Sequence, residues 1–206
     1  MLLLLIGDFH VPYRSSGIPT EFRDFLTAGR IQHVLCTGNL CSETYLEFLQ
    51  EICRDVHIVQ GDQYCLNNSK QFPEEKVLNF TTESKPLKVG ILHGHQILPW
   101  GDYLALKHAQ RRLNVDILVT GHTHECKCDI VEEESEQGGG DHAIKHLRLL
   151  INPGSATGAM NHDGVEYPPS FIVLDIQGEL VIVYIYKLVC KDGKNEVSIE
   201  RIEFSR

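Results

Sequence analysis

The chain has 206 residues, 42% of them hydrophobic, and a formal net charge of -9. That length supports one substantial core, and the composition is that of an ordinary globular domain. The acidic balance excludes a basic field able to displace counterions from a nucleic-acid backbone, and it excludes docking on anionic lipid by charge alone.

Met1–Ile6 is an apolar run that turns polar at Gly7-Asp8. It is too short for a signal-peptide core or a membrane span, and no basic residue precedes it. It reads as a buried strand, and the chain is expected to be cytosolic. Similar short runs follow, each ending in glycine and polar residues: Val34–Cys36 before Thr37-Gly38-Asn39, Val56–Val59 before Gly61-Asp62, Val89–Leu92 before His93-Gly94-His95, and Ile117–Val119 before Gly121-His122-Thr123-His124. Runs of this length between turn signals predict buried strands. Between them, Thr44-x-x-Glu47 is a capping-box pattern ahead of Tyr45, Leu46, Phe48, Leu49 and Ile52. Asp102 is placed to cap a helix carrying Leu104, Leu106, Ala109 and Leu113. Strand, polar loop, helix and strand in succession imply βαβ units and an α/β fold with covered sheet faces.

Glu132–His146 breaks the pattern with Glu-Glu-Glu, then Gly138-Gly-Gly140, and almost nothing apolar. It cannot bury enough surface to offset its ordering entropy. It is expected to be a flexible acidic, glycine-rich insertion at 132–146 in an otherwise single domain spanning 1–206. Ser170–Ile176 and Leu180–Leu188 are rich in β-branched and aromatic residues around a Gln177-Gly178 turn. Val197–Phe204 alternates apolar and charged, as a half-exposed edge strand does.

Asp8, His10, Asn39, Asp62, His93, His122 and His124 all follow these strands. Oxygen and imidazole ligands at the carboxyl ends of sheet strands converge on a crevice. Asp-x-His and His-x-His place alternate side chains on one side of an extended backbone. Two such pairs and a bridging group suit two divalent cations about 3.5–4 Å apart, as in phosphoester hydrolysis. A lone Asp-x-His is usually a surface turn; five such loops in order are not coincidence.

The order Gly7-Asp8-Phe9-His10, Gly38-Asn39, Gly61-Asp62-Gln63, His93-Gly94-His95 and Gly121-His122-Thr123-His124 resembles the calcineurin-like metallophosphoesterases. The resemblance implies a sandwich of two mixed β-sheets flanked by helices. It implies a first metal position among Asp8, His10, Asn39 and His124, and a second among Asn39, Asp62, His93 and His122. Two departures stand out. The family's bridging aspartate is Asn39, a neutral amide that bridges cations poorly. Its catalytic histidine is Gln63, and loss of a general acid typically costs about 10²–10⁴-fold in rate. No catalytic residue is therefore assigned, and divalent binding, by zinc or manganese, is expected to be weak or vestigial.

Ile31–Cys41, Asp55–Val59, His93–Asp102, Ile151–Ala159 and Pro169–Asp175 are similar to the family of the small retromer subunit, over nearly the whole chain except Glu132–His146. That resemblance implies a non-catalytic scaffold in endosome-to-Golgi cargo retrieval, cytoplasmic and held on endosomal membranes through the complex. The metal-site face would seat in a helical-solenoid subunit. An opposite apolar patch of Leu2, Val173, Tyr184 and Tyr186 would take regulatory proteins, although periodicity leaves these four open as core. Ile97, Leu98, Pro99 and Trp100 form a proline-containing turn with more apolar residues than a loop needs, which marks an interface anchor. A working binuclear phosphoesterase is the rival reading.

The remaining motifs have plainer readings. His33, His57, His95 and His108 read as packing or surface histidines, and Cys126-x-Cys128 lacks the paired spacing of a structural zinc site. With Cys36, Cys41, Cys53, Cys65 and Cys190 the cysteines number seven, without a C-x-x-C. An odd count of this kind fits free thiols.

Overall fold

The computed structural model describes residues 1–63, 71–135 and 144–205. The strands are β1 (Leu2–Ile6), β2 (His33–Cys36), β3 (Val56–Ile58), β4 (Glu75–Phe80), β5 (Leu87–Leu92), β6 (Ile117–Val119), β7 (Lys127–Ser135), β8 (Ile144–Asn152), β9 (Ser170–Gln177), β10 (Leu180–Lys191) and β11 (Lys194–Ser205). A 3-10 turn spans Thr20–Phe22, and the helices are α1 (Glu43–Ile52) and α2 (Tyr103–Leu113). A six-stranded sheet runs β11-β10-β9-β1-β2-β3, and a five-stranded sheet runs β4-β5-β6-β8-β7. Both are mixed: β1, β2 and β3 are mutually parallel, β5, β6 and β8 likewise, and the other pairings are antiparallel.

The β1 run is unbroken because both of its faces are covered. Leu3 and Leu5 point into the core between the sheets with Val89, Ile91, Ile117 and Val119. Leu4 and Ile6 point the other way, toward α1 residues Leu46, Leu49 and Ile52 and toward Phe22. On the far side α2 covers Leu92, Leu118 and Leu150 through Ala109. The layers are therefore helix, sheet, sheet and helix. The parallel strands β1, β2 and β3 of one sheet and β5 and β6 of the other end beside each other, and the polar loops follow from those ends.

Local details differ from the sequence expectation in four places. Ser42, in extended conformation, is the N-cap of α1, so Thr44 lies inside the helix and no capping box forms. β4 alternates exposed and half-buried residues without an apolar run, which is why it carries no strong strand signal. β7 and β8 extend to Ser135 and back from Ile144, so the hairpin arms enter the acidic segment. Residues 136–143 of the expected 132–146 insertion lie outside the described residues, as does Cys65. The α2 cap matches: Asp102 Oδ1 accepts the Ala105 N–H at 2.8 Å.

The fourth difference concerns the outer apolar patch. Val173 is 8% exposed, and Leu2, Tyr184 and Tyr186 are half-buried on the same face of the six-stranded sheet. The segment around the 3-10 turn lies over this face, with Phe22 edge-on to Phe171 and Phe25 against Tyr186. Val173 is thus a core residue, and the remaining three present a partly covered surface.

Candidate metal centre

Asp8 and His10 follow β1, Asn39 follows β2, Asp62 follows β3, His93 follows β5, and His122 and His124 follow β6. The seven side chains expected from the sequence meet in one crevice. Their oxygen and nitrogen atoms form two groups, Asp8–His10–His124 and Asp62–His93–His122, with Asn39 between them.

Five of the seven hold left-handed backbone: Asp8, His10, Asn39, His122 and His124 have φ between 50° and 72°. Each such non-glycine residue costs on the order of 1–3 kcal/mol and persists only where its surroundings over-determine it. The loop after β8 supplies that constraint. Ser155 Oγ donates to the Asp8 carbonyl at 2.7 Å, Thr157 Oγ1 to the Phe9 carbonyl at 2.8 Å, and Asn152 Nδ2 to the Gly121 carbonyl at 3.1 Å. The Asn152-Pro-Gly-Ser-Ala-Thr-Gly string is thereby a brace for the ligand loops. Glycines allow the loops to touch: a Cβ at Gly61 would fall 1.9 Å from Asn39 Oδ1, and one at Gly121 would fall 2.6 Å from Asp8 Oδ2.

Hydrogen bonds fix the imidazole tautomers. His10 Nδ1 donates to Gln63 Oε1 at 2.9 Å, His124 Nδ1 to the Ala159 carbonyl at 2.6 Å, and His93 Nδ1 to the Thr37 carbonyl at 2.7 Å. The rings of His10 and His124 then turn a bare Nε2 inward, the arrangement of metal-binding histidines, while His93 Nε2 faces Asp62 Oδ1 at 3.0 Å. The Nε2 atoms of His10 and His124 face each other at 3.0 Å, and Asp8 Oδ1 lies 3.7 and 3.6 Å from them. Two lone pairs and a carboxylate converging in a buried space need a cation. His122 is 4% exposed, and neither of its ring nitrogens has a hydrogen-bond partner. The donor set of each half fits one divalent ion.

The centre between the halves does not fit a bridge. Asn39 Oδ1 accepts the Gln63 N–H at 3.0 Å, which turns the Nδ2 group inward. That group donates to Asp62 Oδ1 at 2.7 Å and lies 3.1 Å from His93 Nε2. A proton donor therefore sits where two cations would require a shared anion.

The charges are mutually adjusted. Burial alone would raise the Asp8 carboxyl, but His93, His10 and His124 outweigh it and hold the group well below the usual carboxylate range. Burial likewise opposes ionisation of Asp62, and hydrogen bonds from His93, Asn39 and His162 reverse that. Burial would lower His93, but the carboxylates of Asp8 and Asp62 raise it. Burial pushes His122 down to about 4, aided by His93, which leaves it neutral at pH 7.

Trp100 joins the apolar turn to this crevice, its ring 4.5 Å from that of His122. Leu98 is 71% exposed and Trp100 44%, Pro99 is exposed, and Ile97 is half-buried against the α2 cluster.

Two groupings were not legible in the sequence. His162 reaches in from the loop after the brace, its Nε2 2.6 Å from Asp62 Oδ2. No spacing rule links two residues a hundred positions apart. At the edge of the six-stranded sheet, His33 Nδ1 lies 2.6 Å from Asp55 Oδ2 and His57 Nε2 lies 3.2 Å from Asp55 Oδ1. Lys76 Nζ donates to His57 Nδ1 at 3.0 Å and adds a positive charge that opposes a cation there. Cys126 and Cys128 pack on the inter-sheet core.

A fold of this kind with this ligand set defines a class, and sequence comparison agrees. The profile of the calcineurin-like phosphoesterase superfamily domain matches residues 1–179, and the chain belongs to that superfamily. Within it, the chain belongs to the family of vacuolar protein sorting-associated protein 29. The Schizosaccharomyces pombe protein of that name is 33% identical over 100% of this chain and 99% of its own length. Wild-type Vps29 of Entamoeba histolytica, crystallised with zinc, is 42% identical with a TM-score of 0.77, covering 98% of this chain and 99% of that one. Chaetomium thermophilum Vps29, crystallised with a cyclic peptide, is 30% identical with a TM-score of 0.77, covering 100% of this chain and 97% of that one.

Proposed function

We propose that the chain is a non-catalytic scaffold subunit of retromer, docking a helical-solenoid subunit through the rim of the metal crevice. The observation that carries this reading is the turn Ile97–Trp100, which exposes Leu98 and Trp100 directly beside the ligand loops. An exposed apolar cluster on a rigid turn is the form of an interface anchor. Its role in endosomal cargo retrieval follows from the family. So does a peripheral place on endosomal membranes; no helix among the described residues is long and apolar enough to cross one. The half-buried surface of Leu2, Tyr184 and Tyr186 is assigned to regulatory proteins, and residues 1–206 are taken as one domain.

The chemistry of the crevice supports a retired enzyme. A divalent ion there would act as a Lewis acid on a phosphoryl oxygen. The residues around it do the rest badly: Asn39 offers a donor at the bridge, and the Gln63 amide, with no proton to lend near neutral pH, holds His10 instead. Zinc or manganese is accordingly a weakly held structural ion, in keeping with the zinc bound by the Entamoeba relative.

Leu98→Asp tests the docking face. In a complex the new carboxylate would be desolvated without a partner, which costs about 3–5 kcal/mol. At ~1.4 kcal/mol per tenfold, that weakens binding at least about a hundredfold. The free protein should keep its stability within about 0.5 kcal/mol. A melting curve and a binding titration against the solenoid subunit of retromer check both. Unchanged affinity with an intact fold overturns the assignment of this face.

A further inference from the structure

Asp62 has two sides. Its Oδ1 faces the Asn39 amide and His93 Nε2, at 2.7 and 3.0 Å. Its Oδ2 faces away from the amide, toward His162 Nε2 at 2.6 Å and His122 Nδ1 at 3.9 Å. The second side carries the buried imidazole that has no hydrogen-bond partner on either nitrogen. A buried imidazole with no partner on either nitrogen is costly unless a ligand completes it. The His122 and His162 rings lie 5.0 Å apart, and Trp100 packs on both, at 4.5 and 6.0 Å.

We propose that Asp62 Oδ2, His122 and His162 form a mononuclear zinc site, offset outward from the phosphoesterase bridge and therefore independent of Asn39. Two imidazoles and a carboxylate are a zinc donor set. Zinc would take the place of the proton that His162 Nε2 now gives to Asp62. The ring can hold its N–H on Nδ1 instead, which leaves Nε2 as a metal ligand. The neutral amide that spoils the bridge then leaves this side untouched. The site rests on the reading of the crevice as a retired centre, but it makes no use of turnover or of partner binding.

The chain's single tryptophan is Trp100, which lies over this side. Zinc titration followed by its fluorescence should therefore report this site. His162→Ala and His162→Gln should each weaken zinc binding by at least about tenfold, the lower end of what even supporting groups of a metal site contribute. Gln keeps a donor for Asp62 but is a poor zinc ligand, so it separates ligation from mere positioning. In crystals grown with zinc, anomalous scattering should place an ion about 2.0–2.2 Å from His162 Nε2 and Asp62 Oδ2. Wild-type affinity in His162→Gln overturns the proposal. So does an ion bound by His93 and Asn39 with His162 still hydrogen-bonded to Asp62, or no ion on this side. Loss of partner docking in Leu98→Asp proceeds unchanged in each case, so the two readings fail separately.

Discussion

The crevice and the sheet-edge group of His33, Asp55 and His57 use the same side chains under opposite conditions. In the crevice Asp8 is fully buried, surrounded by imidazoles, and held with φ at 51°. At the sheet edge Asp55 has 52% of its side chain exposed, and none of the three residues has a positive φ. Both groups satisfy the distance criterion for a metal site. What separates them is that the crevice is strained and largely buried, and a second layer of hydrogen bonds from the 152–159 loop braces it. Proximity of ligand types is therefore weak grounds for function, and costly placement of those ligands is strong grounds.

The largest expected effect concerns catalysis, where the proposed scaffold role rests on Asn39 and Gln63. Wild-type turnover of a generic phosphodiester with manganese should be negligible. The double variant Asn39→Asp with Gln63→His restores a bridge and a general acid, and should raise turnover by about 10²–10⁴-fold. A wild-type rate already at the level of the double variant, and lost in His93→Ala, would break the scaffold reading.

Removal of the central carboxylate comes next. Asp8 faces the imidazoles of His93, His10 and His124, and its Oδ2 accepts the His122 backbone N–H at 2.9 Å. In metal-free protein, Asp8→Ala should destabilise the fold by about 3–5 kcal/mol, the scale for breaking a buried charge group. Asp8→Asn tolerates the left-handed backbone, so the difference between the two variants in denaturant midpoint separates charge from strain. Losses below about 1 kcal/mol in both would put the crevice on a par with the sheet edge.

A smaller effect follows from His122. Its ordinary value is 6.5, and burial lowers it to about 4 in the fold. As pH falls below 6.5 the unfolded chain takes this proton and the folded chain does not. The His122 contribution to stability is therefore complete above pH 6.5 and is lost as pH falls toward 4. The ring resonances of metal-free protein should show His122 neutral at pH 5.5. Titration near 6.5 would mean that water or a counter-ion reaches the ring.

Much of this arrangement is legible in the sequence because the ligand loops follow unbroken apolar strands. β1 and β6 are covered on both sides, so their runs and the polar residues after them stand out. The Asp102 cap is legible because it is local. β4 is not legible, because Glu75–Phe80 alternates over a half-exposed surface. His162 and the Asp55 group are assembled by chain segments that meet only through the sheets. Periodicity leaves Val173 open between core and surface and the family resemblance favours the surface; the segment around Phe22 covers it instead. The inward turn of the Asn39 amide depends on one backbone N–H, that of Gln63, which no residue pattern encodes.

The smallest expected effect belongs to Asp55. Its carboxylate accepts from two imidazoles, but it does so in contact with water, and the His33 and His57 side chains are themselves 22% and 15% exposed. Burial opposes the charge, but the His33 hydrogen bond together with the His57 and His33 charges outweighs it and lowers the carboxyl. The direction means that its stabilisation is present above the usual carboxylate range and fades as pH falls through it. In Asp55→Asn the oxygen still accepts from His33, while the amide nitrogen faces His57 Nε2, donor against donor, because Lys76 holds the other ring nitrogen. Water can enter and take the His57 proton, so the mismatch need not be sealed in. The expected loss is about 0–1 kcal/mol, as for exposed pairs, and it should shrink in high salt. Chemical denaturation at low and high ionic strength measures both. A loss above about 2 kcal/mol that ignores salt would show the sheet edge to be as sheltered from solvent as the crevice, and the contrast between them would then rest on backbone strain alone.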